Sequence, residues 1–521
     1  MRENEMKTLN ARRWLGLSVL LGSLLVVAGC SLAPTYTKPD VSAPAAFKET
    51  PQETALAPSE QGTWKTAQPS EQVLRGEWWT VFNDPTLNDL EHQALDANQN
   101  LKAAAARVKE SRAINQTARA GLFPTLDAGF GPTREKLSPA SQFLPANANV
   151  PSQTLWRAEG SASYEVDLFG RVSDSVKAAN ADTEQSEALF RSVQLALQAD
   201  VAQNYFNLRE LDSESEVFTR TVTLREQALK LVQNRFNEGE ISELDVAQAR
   251  SELATAKSDA MTVQRLRAAS EHSLAVLLGK AASQFSMAAN PLTPVDIKIP
   301  PGLPSSLLER RPDIAAAERA MAAANSRIGV AKAAFFPSLN ITGSGGFESA
   351  TLGDLFNWSS RTFLLGPFAG TALNLPIFDG GRRKGNLANA RAIYEEDVAN
   401  YRQQVLVAFR EVEDNLSDMR ILEDQTKTQN EAVTASQRAA DLSRSQYTEG
   451  AVNYLDVIDA ERTVLQARRS AVQLQGVQAA STVNLIRALG GGWGDVVRQP
   501  AQPVMGQVAP TVPVQTAVAK K

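Results

Sequence analysis

Two aspartates in the second half of the chain could form part of a charged binding surface. Asp456 and Asp459 lie three positions apart, so their carboxylates share one face if a helix runs through them. Asp245 has the same local context in the first half, but Ala247-Gln248 there replaces Ile458-Asp459. Carboxylates near a helix N-terminus are also favoured by the helix dipole, so a plain capping role remains an alternative.

Other residue types that support catalysis or metal binding are sparse. The chain has two histidines, His92 and His272, which are far apart in sequence, and a single cysteine, Cys30. One thiol excludes an internal disulfide and a metal site built on several thiolates. We find no catalytic constellation, and we expect no enzyme activity, no metal and no cofactor.

The N-terminus has the features of an export signal. Two arginines precede an apolar run from Trp14 to Ala28, and about 15 residues suits a signal peptide better than a membrane-spanning helix. The run ends in Val-Ala-Gly before Cys30, which resembles the lipobox of bacterial lipoproteins. That resemblance implies that 1–29 are removed, that Cys30 carries diacylglycerol and palmitate, and that Ser31 favours sorting to the outer membrane. An ordinary signal peptide with a chance cysteine is the alternative.

Charge and hydropathy argue against two further classes, nucleic-acid-binding proteins and proteins with membrane-spanning helices. The formal net charge of the 521 residues is -5, and no basic block is present, which argues against a nucleic-acid surface. After Cys30 no segment has the ~20 consecutive apolar residues of a membrane helix. If this protein crosses a membrane, it must therefore do so with strands.

An internal repeat organises the chain. The segment 118–127 returns as 331–340, and 235–246 returns as 446–457, at a shift of about 211 to 213 residues. Each copy contains a helical segment, two strand-like stretches, a very long helix, a Gly-marked break and a shorter helix. The predicted organisation is a signal peptide (1–29), a lipidated extended segment (30–85), a first repeat (86–290), a linker (291–312), a second repeat (313–492) and a disordered tail (493–521).

The long helices and the strands have distinct periodicities. No Gly or Pro lies between Gly170 and Gly239, or between Gly385 and Gly450, so each helix spans on the order of 100 Å. Their apolar residues recur every three and four positions, which predicts side-by-side helix packing. Period-2 alternation is clean at 156–169, similar at 338–348 and weaker at 125–131. The stretch 363–378 alternates poorly and is in part apolar on both sides, and with it the sequence predicts four strands.

Four strands cannot close a barrel, because about eight are needed. Lipid-exposed open edges are not tolerated, so a membrane-spanning form must oligomerise, and two, three or four chains all give an even strand number. A small soluble sheet is the alternative.

The repeat, the lipobox and the motif between the repeats together resemble the TolC-like outer-membrane factors, and within them the NodT-type efflux lipoproteins. Leu303–Ile314 reads Leu-Pro-x-x-Leu-Leu-x-Arg-Arg-Pro-Asp-Ile, which is characteristic of that subgroup, and 447–462 resembles the pore-closing segment. The resemblance implies an α+β fold and a homotrimer. Four strands per chain would contribute to a 12-stranded β-barrel, the long helices would form a periplasmic α-barrel, and a small equatorial domain would surround it.

The same resemblance implies a gate at the periplasmic end. Three copies of Asp456 and Asp459 would form an inward-facing ring that favours cations. Val452 stands where one family member has a latch arginine. Gly239 and Gly450 are predicted to make tight turns with positive φ, and by resemblance these tips receive a periplasmic adaptor. The predicted gate residues are Leu455, Asp456, Asp459, Arg462, Tyr447 and Asp245.

The sequence therefore predicts the exit duct of a tripartite efflux system in the bacterial outer membrane. It would conduct drugs or other small toxic compounds passively when docked to an adaptor and an inner-membrane pump, by resemblance of the resistance-nodulation-division type. A type I protein-secretion duct and a pore-free coiled-coil lipoprotein are the alternatives.

Overall fold

The computed structural model describes residues 31–39, 44, 46–49, 77–294, 297, 310–365 and 373–491. The predicted signal peptide, Cys30, most of the inter-repeat linker and the tail 493–521 lie outside the described residues.

The described elements occur in the same order in both repeats: helix, strands, long helix, shorter helix. The first repeat contains α1 (Pro85–Ala97), α2 (Gln99–Ala120), β1 (Thr125–Glu135), β2 (Gln153–Val166), α3 (Arg171–Asn237) and α4 (Glu243–Leu277). The second contains α5 (Pro312–Ala333), β3 (Ser338–Ser349), β4 (Arg361–Leu365), β5 (Leu373–Asn374), α6 (Arg382–Thr448) and α7 (Tyr454–Ala488).

The long helices α3 and α6 are 67 residues each, or about 100 Å. Both begin in the same way. A glycine with positive φ, Gly170 (76°) or Gly381 (94°), turns the chain, and a preceding carboxylate, Asp167 or Asp379, accepts hydrogen bonds from first-turn N–H groups. α6 therefore begins before Gly385, the glycine predicted to bound it. Among the described residues, no helix combines the length and the apolar character that a membrane crossing requires.

A buried layer surrounds the middle of the long helices, as the predicted equatorial domain requires. Trp79 and Leu87 from the segment around α1 pack against Tyr205 and Leu208 of α3 and Val483 of α7. Glu91 of α1 is also fully buried in this part of the fold.

The strands form one antiparallel sheet in the order β1-β2-β3-β4, with β5 also paired to β3. The β2–β3 pair joins the two repeats. Its register places Ala158 opposite Phe347 and Tyr164 opposite Ile341, while β1 places Phe130 beside Ala158. Apolar side chains therefore share one face across the sheet, and many are exposed, including Leu126, Phe130, Phe363 and Leu373.

Several strand boundaries differ from the prediction: β1 continues to Glu135, past the predicted 131, and β2 begins at Gln153, before the predicted 156. β2 ends at Val166, because the next residue, Asp167, caps α3, so Leu168 is not part of the apolar face. The strand predicted over 363–378 is described as the two segments β4 and β5, and residues 366–372 lie outside the described residues.

Candidate functional site

The breaks between α3 and α4 and between α6 and α7 have the same backbone geometry. Gly239 has a φ of 81° and Gly450 a φ of 78°, which confirms the predicted turns. At each break the residue after the glycine donates its N–H to a carbonyl five residues earlier, at 3.0 Å and 2.8 Å. A Cβ at either glycine would meet no atom within 4 Å. Backbone conformation, and not lack of space, therefore requires glycine at these tips.

Asp245 and Asp456 occupy equivalent capping positions just after the breaks. The Asp245 carboxylate accepts from the Ser242 N–H at 3.1 Å, and the Asp456 carboxylate accepts from the Asn453 N–H at 3.2 Å. Both pairs are reciprocal capping boxes. The capping role that the sequence left as an alternative therefore applies to both aspartates. Their role in a gate stays a prediction.

Leu455 and Asp459 are exposed to solvent at the start of α7. Leu455 is 48% exposed, and the Asp459 side chain is 64% exposed. Asp459 lies 3.5 Å from Arg462 Nη1, one helical turn further along. Asp456 is exposed as well, so the first turns of α7 have two solvent-exposed carboxylates beside an exposed leucine.

Tyr447 is buried where the two breaks meet. Its ring lies 5.5 Å from the Tyr454 ring, and the Arg235 guanidinium of α3 lies 5.0 Å from its centroid. Burial raises the pKa of the Tyr447 hydroxyl. No described residue provides that hydroxyl with a hydrogen-bond partner. Tyr447, one of the predicted gate residues, thus contacts the tips of both the first and the second repeat within one chain.

About 9 to 21 Å above the tips, given 1.5 Å per residue, a charged network connects α3, α4, α6 and α7. Its centre is Arg225 of α3, whose side chain is only 3% exposed. Arg225 Nη1 lies 2.7 Å from Glu461 of α7, and Nη2 lies 3.4 Å from Glu252 of α4. The Glu461 contact is an ion pair without hydrogen-bond alignment.

Two exposed arginines complete this network, which we call the tip network (Arg225, Glu252, Arg444, Glu461, Arg462). Arg444 of α6 donates to Glu461 at 2.8 Å, and Arg462 Nε of α7 donates to Glu252 at 3.1 Å. Arg462, one of the predicted gate residues, is therefore paired within its own chain. The network leaves two carboxylates facing three guanidinium groups across the helix bundle.

Sequence comparison of the repeats missed most of the tip network. At the shift of 211 residues that aligns the breaks, Arg225 corresponds to Ser436 and Arg444 to Gln233. The network is therefore built from residues in which the repeats differ, whereas self-comparison finds positions in which they agree. A search for charged residues within the apolar helix stripes could have found Arg225.

Arg311, from the Arg-Arg-Pro-Asp motif of the linker, contacts the middle of the helix bundle. Arg311 donates to both Asp313 oxygens, at 3.1 and 2.6 Å, to Glu411 of α6 at 2.6 Å and to the Ala488 carbonyl of α7 at 3.1 Å. Burial alone would raise the pKa of Asp313, but the hydrogen bonds and charge of Arg311 outweigh burial and lower it. One side chain therefore joins the start of the second repeat to α6 and α7.

Replacing Arg311 with alanine is expected to destabilise the chain by about 3 kcal/mol, because it leaves Asp313, Glu411 and a helix C-terminus without their shared cation. The same change at the neighbouring Arg310 is the matched control. Thermal unfolding of the detergent-extracted protein measures both. Equal unfolding midpoints for the two variants would show that the Arg311 contacts contribute little.

The comparisons with known proteins agree with one another. The family model described as outer membrane efflux protein matches 90–280 and 303–491. The toluene efflux pump outer membrane protein TtgF of Pseudomonas putida is 35% identical, over 91% of this chain and 97% of that protein. The cation efflux system protein CusC of Escherichia coli is 32% identical, over 90% and 97%. The solved outer-membrane channel OprN superposes with a TM-score of 0.79 at 28% identity, covering 89% of this chain and 100% of that one.

Proposed function

Because this chain belongs to the outer membrane efflux protein family, we propose that it is a passive exit duct whose periplasmic end is held closed by the residues at the helix breaks. The chain is an outer-membrane efflux channel that acts as a homotrimer with an adaptor and an inner-membrane pump. The opening mechanism, the cargo and the lipid anchor are the parts that we propose.

One observation carries the proposal: the two ends of each long helix differ in chemistry. At its start, α3 follows directly on β2 and the exposed apolar face of the sheet. At its end, about 100 Å away, the α6–α7 break presents Leu455, Asp456 and Asp459 to solvent. A lipid-facing sheet at one end and a charged constriction at the other are what a duct between two compartments requires.

The energy for transport comes from the pump. No element near the breaks offers the grouped nucleophile, base and phosphate-binding loop of an ATPase in the described part of the chain. We propose that adaptor docking at Gly239 and Gly450 separates the tips, so that the tip network breaks and the aperture widens. This role of the two glycines rests on the family resemblance.

We propose small toxic compounds as the cargo, chosen by the pump and not by the duct. The relatives TtgF and CusC have similar identity to this chain, 35% and 32%, yet one is named for toluene and the other for cations. Sequence identity to these relatives therefore does not indicate whether the cargo of this chain is apolar or ionic. We also propose that Cys30, outside the described residues, is the acylated N-terminus.

Substituting Asp456, Asp459 and Arg462 together with alanine is expected to raise the single-channel conductance of the closed trimer several-fold in planar bilayers. The change removes the acidic ring and the Arg462–Glu252 pair that joins α7 to α4. Cation selectivity should fall at the same time, because the ring carboxylates are gone.

A control triple variant tests whether the effect on conductance depends on where the three charges are removed. Asp424, Glu431 and Arg438 are exposed on α6 and carry the same charges, and the two carboxylates lie on the order of 30 to 40 Å above the break. Their replacement by alanine should leave conductance unchanged. Identical conductance in both triple variants would refute the gate.

A further inference from the structure

The antiparallel helices α3 and α7 are joined by a line of polar side-chain pairs. The Gln203 side chain of α3 donates to the Asn484 side chain of α7 at 2.6 Å. Further towards the tips, the Glu214 carboxylate of α3 accepts from Arg469 of α7. Glu210 lies between these two pairs and is partly buried, but it forms no hydrogen bond or ion pair with any residue that the structure describes. Its carboxylate is therefore the unpaired member of the line.

Glu210 faces a glycine of α7. A Cβ at Gly476 would lie 2.5 Å from Glu210 Oε2 and 2.7 Å from its Cδ and Cγ. Contacts this short are not tolerated without displacement of one of the groups. Glycine inside a helix costs about 1 kcal/mol relative to alanine, yet α7 continues through this point over 35 residues. Gly476 therefore forms a notch in α7 that holds the Glu210 side chain against the helix backbone.

The charges along α3 and α7 disfavour an ionised Glu210. On its own helix it is repelled by Glu214, a like charge that is only 2% exposed. On the facing helix no charged residue lies between Arg469 and Arg487, and Arg469 is already bonded to Glu214. Burial, and then the charge of Glu214, raise the pKa of Glu210 to about 7. The charge of Glu210 therefore changes near neutral pH.

The cations on the other side of α3 are paired with different carboxylates. Arg209 of α3 and Arg267 of α4 lie 3.2 and 2.6 Å from Asp212. Arg267 also lies 3.4 Å from Glu271 of α4. The segment 285–292, which packs on this side of α3, has no charged residue. Among the described residues around Glu210, no unpaired cation is therefore left to neutralise its ionised form.

We propose that Glu210 and Gly476 form a proton-dependent joint that sets how firmly α7 is held to α3, about 22 Å above Arg225 of the tip network. A neutral Glu210 stays in the notch, and the two helices pack closely. An ionised Glu210 favours hydration, so its side chain leaves the notch and the α3–α7 contact loosens. The stabilisation of close packing is complete below pH about 4.5 and is lost as the pH rises through about 7.

Amide hydrogen exchange of segment 470–482 in the full-length, detergent-extracted protein tests the joint. Glu210→Gln keeps the size of the neutral side chain and cannot ionise. With rates corrected for the intrinsic effect of pH, the protection of this variant relative to the wild type should rise about tenfold from pH 6 to pH 8. Glu216→Gln, at an exposed position on α3, is the matched control, and its ratio should stay constant. A constant ratio for Glu210→Gln as well would overturn the joint.

Gly476→Ala tests the notch separately. The added methyl group should displace the Glu210 carboxylate into water, because the overlapping atoms belong to the end of a flexible side chain. Protection relative to the wild type should then rise between pH 6 and pH 8 as it does in Glu210→Gln. An unchanged ratio would show that the notch does not hold Glu210, and the proposal would fail. If Gly476→Ala does not assemble, Glu210→Gln decides alone.

Only the effect of the joint on opening rests on the proposed function, and closed-state conductance in planar bilayers measures that effect. The conductance of the wild type relative to Glu210→Gln should rise several-fold from pH 6 to pH 8, because loosened α3–α7 packing weakens the closed tips. A constant conductance ratio with a changing protection ratio would support the joint and contradict its connection to the gate. A constant protection ratio would overturn the joint whatever the conductance does.

Discussion

Replacing Arg225 with methionine is expected to destabilise the closed tips by about 1 to 3 kcal/mol, because Glu252 and Glu461 lose the buried cation between them and keep only the exposed Arg462 and Arg444. Both glutamates are only about a tenth exposed, at 11% and 12%, so water cannot replace the lost charge fully. Unfolding midpoints and closed-state conductance should both change, the first falling and the second rising.

Arg444→Met is the matched control. Arg444 also pairs with Glu461, at 2.8 Å, but its side chain is 44% exposed. An exposed ion pair contributes about 0 to 1 kcal/mol, so the effect should be several times smaller. An equal fall of the unfolding midpoint in both variants would mean that the burial of Arg225 does not strengthen its ion pairs.

A rescue variant separates charge from packing. Adding Glu252→Gln and Glu461→Gln to Arg225→Met removes the two carboxylates that Arg225 contacted. It should restore much of the lost stability, less the small contribution of the exposed pairs with Arg444 and Arg462. A loss that persists would instead assign the effect of Arg225 to the packing of its side chain. Such a rescued protein would also test the gate, because its tips would be stable but no longer held by charge.

The fold was predictable because its periodicities are long and its boundaries recur. The interval without Gly or Pro predicted α3. A Phe-Pro pair, at 123–124 and 336–337, immediately precedes β1 and β3, because the residue before proline is disfavoured in a helix. The end of β2 was missed because Asp167 extends the alternation but caps the next helix. Local alternation does not reveal a competing side-chain hydrogen bond.

The candidate site was only partly predictable. Asp456 and the turn glycines follow from residues that the two repeats share, whereas Tyr447 was predicted from the family resemblance. The structure gives their local geometry. Arg225 and the notch at Gly476 depend on pairs of residues far apart in sequence, such as Glu210 and Gly476. Neither periodicity nor self-comparison relates such positions, and their pairing becomes visible only when the helices are packed.

Burial of Glu91, in the layer around the middle of the long helices, makes the free energy of unfolding depend on pH. Its carboxylate is fully buried, no described residue donates to either oxygen, and burial raises its pKa from 4.5 to about 9. The folded chain therefore holds this proton more tightly than the unfolded chain. The stabilising effect of that proton is complete below pH about 4.5 and is lost as the pH rises towards 9, by about 1.4 kcal/mol per unit.

Glu91→Gln is expected to remove this dependence, because the amide keeps the size of the protonated carboxyl and cannot ionise. Between pH 6 and pH 8 the wild type should lose about 2 to 3 kcal/mol relative to the variant. Urea unfolding of the detergent-extracted protein at both pH values measures the difference. Glu110→Gln, at an exposed position on α2, is the matched control and should keep the wild-type pH dependence. If Glu91→Gln also keeps it, Glu91 is ionised in the folded protein and must have a cationic partner.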